Sequence, residues 1–235
     1  MSPAASGNVP IMSQDTRHFG EEIEELKQRL LMMGGLAEDR LSFAVQALVE
    51  RDRHLIATVV RGDEAINTLQ LEIDDRCFKL LALHQPMAVD LRVIVAALKI
   101  NSDLERVGDL AVNVAEAAER YLAHAPVKPL IDLPRMAALA QQMLHDALDA
   151  FVSRDAEAAQ AVLTQDDNLD GLKNQIFREL LTYMLGDPRK IEPGIELILI
   201  SRHLERVGDH ATNIAEDVIF IVEARDVRHH ADRTE

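Results

Sequence analysis

Two stretches of this chain carry carboxylates at the same spacing. Asn101 to Glu116 reads NSDLERVGDLAVNVAE and Ser201 to Glu216 reads SRHLERVGDHATNIAE; from Leu104 to Glu116, ten of thirteen residues are identical to their partners. Each copy sets a Glu and an Asp four apart, then an Asn and another Glu. On a helix, residues four, eight and eleven apart fall about 40, 80 and 20 degrees from the first. Glu105, Asp109, Asn113 and Glu116 therefore share one face, and Glu205, Asp209, Asn213 and Glu216 share its counterpart. An all-oxygen donor set suits magnesium, calcium, manganese or iron, with His203 or His210 offering a nitrogen in the second copy only.

A single Glu-x-x-x-Asp on a helix is usually surface decoration. Here Arg106 and Arg206 could neutralise the neighbouring acids, and Gly108 and Gly208, costly inside a helix, have a packing role on either reading. The duplication argues for more, and so do the acids placed opposite. Asp63 and Asn67 precede the turn at Pro86 by about as many residues as Asp109 follows it, and Asp166, Asp167 and Asp170 stand similarly before the second turn. Antiparallel neighbours bring such residues to one height. Crowded carboxylates repel unless cations, protons or arginines compensate, so a multivalent cation is an efficient partner.

The elements that position these acids are helices. Apolar residues recur at helical spacing from Ile23 to Leu48, predicting a first helix over about 20–50 whose acids Glu21, Glu22, Glu24 and Glu25 suit its N-terminal dipole. A second helix is predicted from Arg53 to His84, with Pro86 in the turn, and a third from Ala88 to Leu122. Pro126, Pro129 and Pro134 mark a linker. The pattern then repeats at about 134–152, 155–185 and 191–224, with Gly186-Asp187-Pro188 at the second turn. Short connections make successive helices antiparallel. The expected fold is all-α: two tandem three-helix bundles, spectrin-like and up-down-up, over 18–125 and 130–226, with a disordered extension at 1–17 and a polar tail at 227–235. The seam Leu104, Val107, Ala111 and Val114 lies round the helix from the acids, so the stripe is expected outside the bundle core.

Composition agrees and excludes several functions. The chain has 48% hydrophobic but only 3% aromatic residues and no Trp, as a helical bundle uses. A net charge of -15 opposes nucleic-acid binding, which rests on Lys and Arg displacing counterions. Cys77 is the only cysteine, so no internal disulfide forms and a reducing compartment is the simpler expectation; it reads as a small core residue. Met32, Met33, Met136 and Met143 read as core filler, and His229 and His230 as tail residues. No apolar run spans a membrane, and the N-terminus has no secretory pattern, so a cytoplasmic protein without membrane insertion is expected. No P-loop, nucleophile elbow or H-E-x-x-H is present.

With Arg17-His18-Phe19 near the start and Asp226-Val227-Arg228-His229 near the end, the paired Leu-Glu-Arg-Val-Gly-Asp helices resemble the PhoU family of phosphate-uptake regulators, from about Arg17 to His229. The resemblance rests most specifically on Glu105 with Asp109 and Glu205 with Asp209. It implies a non-enzymatic, cytoplasmic, often dimeric protein that binds divalent or trivalent metal ions (iron, manganese, magnesium or zinc) on its carboxylate faces. It also implies negative regulation of phosphate uptake and starvation signalling, through the ATPase subunit of the phosphate ABC transporter and a sensor histidine kinase. Asn67 standing where the second half has Asp170 makes the two sites unequal. A rival reading is a di-metal carboxylate bundle, an iron store or oxidase; such sites use Glu-x-x-His motifs aimed into the core, which the repeated helices lack.

Overall fold

The computed structural model describes residues 14–225 and 227, without the side chains of 14–17 and 63. His229, His230 and most of the expected extension and tail lie outside these residues. Seven helices follow in order: α1 (Gln14–Glu50), α2 (Arg53–Arg61), α3 (Asp63–His84), α4 (Val89–Leu122), α5 (Asp132–Ser153), α6 (Ala156–Gly186) and α7 (Ile191–Glu223), with a 3-10 turn at Pro188–Lys190 before α7. No strand occurs among the described residues. In the first half α1 to α4 pack together; in the second, α5, α6 and α7 do the same. The halves meet through α4 on α7 and α1 on α5.

Four expectations change. The predicted second helix is two: the chain bends at Gly62, whose N–H donates to Thr58 O and Val59 O, closing α2 before α3 begins at Asp63. The first helix starts at Gln14, so its acids lie beyond the first turn and serve α3 instead: Glu25 pairs with Arg76 and Glu22 with His84. Pro134 is not in the linker but near the start of α5, where a missing N–H breaks no helical bond. Of the four methionines, Met33, Met136 and Met143 are buried while Met32 is 58% exposed.

The internal repeat extends to the turns. Arg51 and Arg154 both adopt positive φ (58° and 55°), each followed by an Asp that caps the next helix: Asp52 accepts from His54 N and Asp155 from Ala158 N. Asx caps of this kind stabilise a helix start by about 1 kcal/mol. The linker is tied down as well. Arg51 donates to Leu122 O and His124 O, Val127 N donates to the Tyr121 hydroxyl, and the buried Lys128 ammonium pairs with Asp132 and Glu179.

Facing pairs fix how the halves are related. Lys99 meets Asp217, Asp103 meets Asn213, Arg120 meets Glu196 and His124 meets Glu192, all in one antiparallel register of α4 and α7. In that register Gly108 falls opposite Gly208, so the pseudo-twofold axis passes through the repeated motif itself.

Candidate functional site: two carboxylate faces

The motif glycines decide which acids meet. A Cβ on Gly108 would stand 2.9 Å from Ile66 Cδ1 of α3, and one on Gly208 would overlap Leu169 Cδ2 of α6. The bare backbone lets α3 lie tightly on α4, and α6 on α7. This close approach brings Asn67, next to Ile66, and Asp170, next to Leu169, to the level of the Glu-x-x-x-Asp pairs. The seam residues Leu104, Val107, Ala111 and Val114 are fully buried, so the pairs stand outside the core as their phase required.

In the second half the acids from two helices converge. Lys173 Nζ of α6 lies 2.7 Å from Asp170 Oδ1 and 2.7 Å from Glu205 Oε1 of α7. Both bonds hold the ammonium above its usual pKa. Asp166 is held above the ordinary carboxylate value by burial and by the charges of Asp170, Asp167 and Glu205. Burial, Glu205 and Asp166 do the same to Asp209. Asp166, Asp170, Glu205 and Asp209 thus form one electrostatic group, with the exposed Asp167 at its edge.

The first half arranges its face differently. Glu105 and Asp109 are half-buried, Glu105 lies 3.7 Å from Arg106 Nε, and Asn67 is half-buried on α3. Asp63 begins α3 at the same level. Behind them Arg40 of α1, only 5% exposed, lies against Gly62 and Gly108 and donates from Nη2 to Val59 O at 2.8 Å. Met143 takes the equivalent place against Gly208.

The remaining stripe residues separate from these groups. Asn213 Nδ2 donates to Asp103 Oδ1 at 3.3 Å, and Glu216 lines a groove with Lys99, Ser102 and Asp103 on α4. Asn113 and Glu116 occupy the equivalent place on α4, across from the His203 turn of α7. Asn213 is turned about 80 degrees from Glu205, enough to serve the next helix instead of α6. Neither histidine is placed to supplement the acids. His210 Nδ1 bonds to Asp103 Oδ1 at 2.7 Å, and His203, with its pKa lowered by burial and by Arg206, Arg202 and Arg120, has a buried Nδ1 without a partner.

The donors suit a hard cation, but the fit is incomplete. Among the described residues no three His, Cys, Asp or Glu side chains gather as a metal site. In the second face the Lys173 ammonium already stands between the two helices' carboxylates. A metal entering there has to displace it. Cys77 takes no part: it is fully buried, and burial followed by the charge of Asp74 pushes its thiol up to about 12.

Sequence reasoning missed Lys173 and Arg40, and the signal for both was a break in the repeat, Lys173 facing Gln70 and Arg40 facing Met143. Among the described residues no helix is long and apolar enough to cross a membrane.

A sequence model described as PhoU domain matches residues 30–118 and again 133–218, one match on each half. A protein named phosphate-specific transport system accessory protein PhoU homolog, from Caulobacter vibrioides (strain NA1000 / CB15N), is 46% identical over 87% of this chain and 89% of its own length. The protein of Serratia marcescens named phosphate-specific transport system accessory protein PhoU is 34% identical over 94% and 91%. The crystal structure of PhoU from Pseudomonas aeruginosa superposes with a TM-score of 0.84 at 39% identity, covering 88% of this chain and all of that one. The phosphate transport system regulatory protein PhoU from Streptococcus pneumoniae does so at 0.82 and 30% identity, over 89% and 99%. Twice matched by the domain, and alike in sequence and in fold over most of its length, this chain belongs to the PhoU family.

Proposed function

We propose that this chain is a non-enzymatic, cytoplasmic regulator that lowers phosphate uptake and phosphate-starvation signalling. It works as a helical adaptor between the ATPase subunit of a phosphate ABC transporter and a sensor histidine kinase. The observation that carries the reading is the pair of equivalent carboxylate faces on opposite sides of a pseudo-twofold axis, which gives one chain two similar contact surfaces. The relatives' names, accessory protein of a phosphate-specific transport system, supply the context. A di-metal oxidase or iron store is disfavoured, because the acids stand outside the core and no Glu-x-x-His lies on the repeated helices.

In this reading a metal ion, iron, manganese, magnesium or zinc, is held by oxygen donors at the first face, from Glu105, Asp109, Asn67 and Asp63. At the second, Asp166, Asp170, Glu205 and Asp209 take one only when Lys173 swings away. Such an ion neutralises the acids and shapes the surface offered to a partner. Homodimers of the chain are part of the proposal.

Two measurements test it. Purified chain should retain the transporter ATPase and the kinase in a pull-down, and retention of neither removes the adaptor role. Glu105→Ala with Asp109→Ala should reduce metal content by about half or more with helicity intact, since the first face is lost and Lys173 stands in the second. Unchanged stoichiometry by elemental analysis would remove the site assignment.

A further inference from the structure

Each carboxylate face continues along its helix pair to exposed apolar side chains. On α6, Asp166, Asp170, Phe177 and Leu181 lie within about 60 degrees of one another, and on α7 Ile191, Ile198, Glu205 and Asp209 lie within about 40 degrees. Leu169 against Gly208 and Lys173 against Glu205 set the register of the two helices, and it carries Leu181 level with the Ile195–Ile198 turn. Phe177 is 47% exposed, Leu181 40%, Ile191 42% and Ile195 45%. One groove thus runs from four carboxylates to a cluster of large apolar side chains near the α6–α7 tip.

The first half repeats the arrangement. Ile66 against Gly108 and Asn101 bonded to Asp74 carry Phe78 level with the Val95–Leu98 turn of α4. Phe78, Leu91 and Val95 are exposed, on the same helices as Asn67, Glu105 and Asp109. Large apolar side chains exposed at one level of two packed helices, beside polar residues, suit an interaction site. The two tips lie at opposite ends of the antiparallel α4/α7 pair, about 45–50 Å apart at 1.5 Å per residue.

From this we infer that each groove docks one basic amphipathic helix of a protein partner, its apolar anchors on the tip cluster and its Lys or Arg residues among the carboxylates. Charge complementarity selects this occupant. The acid end repels an anionic membrane surface, whereas Lys173 already shows the cation the groove accepts, an ammonium hydrogen-bonded to acids of both helices. An amphipathic helix laid in a groove is an established recognition mode. Two similar grooves about a pseudo-twofold axis let each half take one such helix. The inference deepens the adaptor reading by naming the surface, and rests on that reading only for the partner's identity.

The chain has no Trp, so a Leu/Lys helical peptide bearing one Trp reports its own burial by fluorescence. Full-length chain should bind two such peptides. Phe177→Ser with Ile195→Ser should leave one site, and Phe78→Ser with Val95→Ser should remove the other, each weakening its site about tenfold or more as loss of apolar anchors does. Asp170→Asn with Asp209→Asn should weaken the second site and flatten its salt dependence. Met32→Ser with Phe43→Ser, exposed residues of α1, should bind as the parent does. Circular dichroism checks that each variant stays folded. Equal binding by the groove variants and the parent, equal binding of a Leu/Glu peptide, or preference for phosphatidylglycerol vesicles would each overturn the inference. Peptide binding alongside a failed ATPase and kinase pull-down would leave the grooves standing and remove only the adaptor reading.

Discussion

The first carboxylate face has its cation behind it and the second has its cation among the acids. In the first half Arg40 reaches from α1 under Gly108, buried to 5% exposure, and Gln70 stands on α3 where the second half has a lysine. In the second half Met143 fills the place of Arg40, and Lys173 rises between Asp170 and Glu205. The same backbone therefore supports its two acid faces from opposite sides. An arginine in the packing layer is part of the fold and leaves the acid surface open. A half-buried lysine in the surface layer can be displaced. Equivalent faces in one chain are thus equipped unequally for exogenous cations, whether a metal ion or a partner's basic side chain.

Exchanging the supports breaks the comparison most sharply. Arg40→Met copies the second half into the first, removes a buried guanidinium and its bond to Val59 O, and should cost about 2–3 kcal/mol in urea unfolding. A cost near zero would show that Arg40 is no structural support. Overpacking comes next. Gly208→Leu should cost about 2 kcal/mol and Gly108→Leu less, because Leu169 crowds its glycine more closely than Ile66 does. Equal costs would mean that the two helix pairs are equally tight in solution.

Lys173→Gln should cost no more than about 1 kcal/mol, since the pair is partly solvated. Its clearer mark is in pH dependence. Asp166 and Asp209 have folded values raised above 3.8, so the folded state keeps their protons longer than the unfolded chain does, and stability falls as pH rises from 3.8 to those values. Removing the ammonium should extend this window upward. The first face, carrying Gln70 already, should respond little to Gln70→Ala, and an unchanged pH profile in Lys173→Gln would remove the distinction between the faces. Smallest of all, Cys77 should resist thiol labelling at neutral pH until the chain unfolds, because burial keeps its thiolate out of reach up to about pH 12.

The repeat read from Leu104 to Glu116 gave the helices, their order and the placing of the acids outside the core. It failed where a helix is bent or begun by something other than periodicity. The second helix is interrupted at Gly62, whose N–H closes the last turn of α2, within a pattern that stays apolar-periodic on both sides. Glu216 lies only about 20 degrees and Asn213 about 80 degrees from Glu205 on a helical wheel, yet both serve the groove against α4 because neighbours lie on both sides of α7.

The sequence by itself determined the spacing of the acids along each helix, since helical phase is a local property of the backbone. It also determined that there are two such sets, and that Gly108 and Gly208 had a reason to be small. Only the tertiary structure decided that Ile66 and Leu169 are what those glycines admit, that Lys173 bridges Asp170 to Glu205, and that Arg40 packs behind the first face against Gly62 and Gly108. Lateral register between helices is set by the packing of side chains distant in sequence, and no local pattern records which of them will meet.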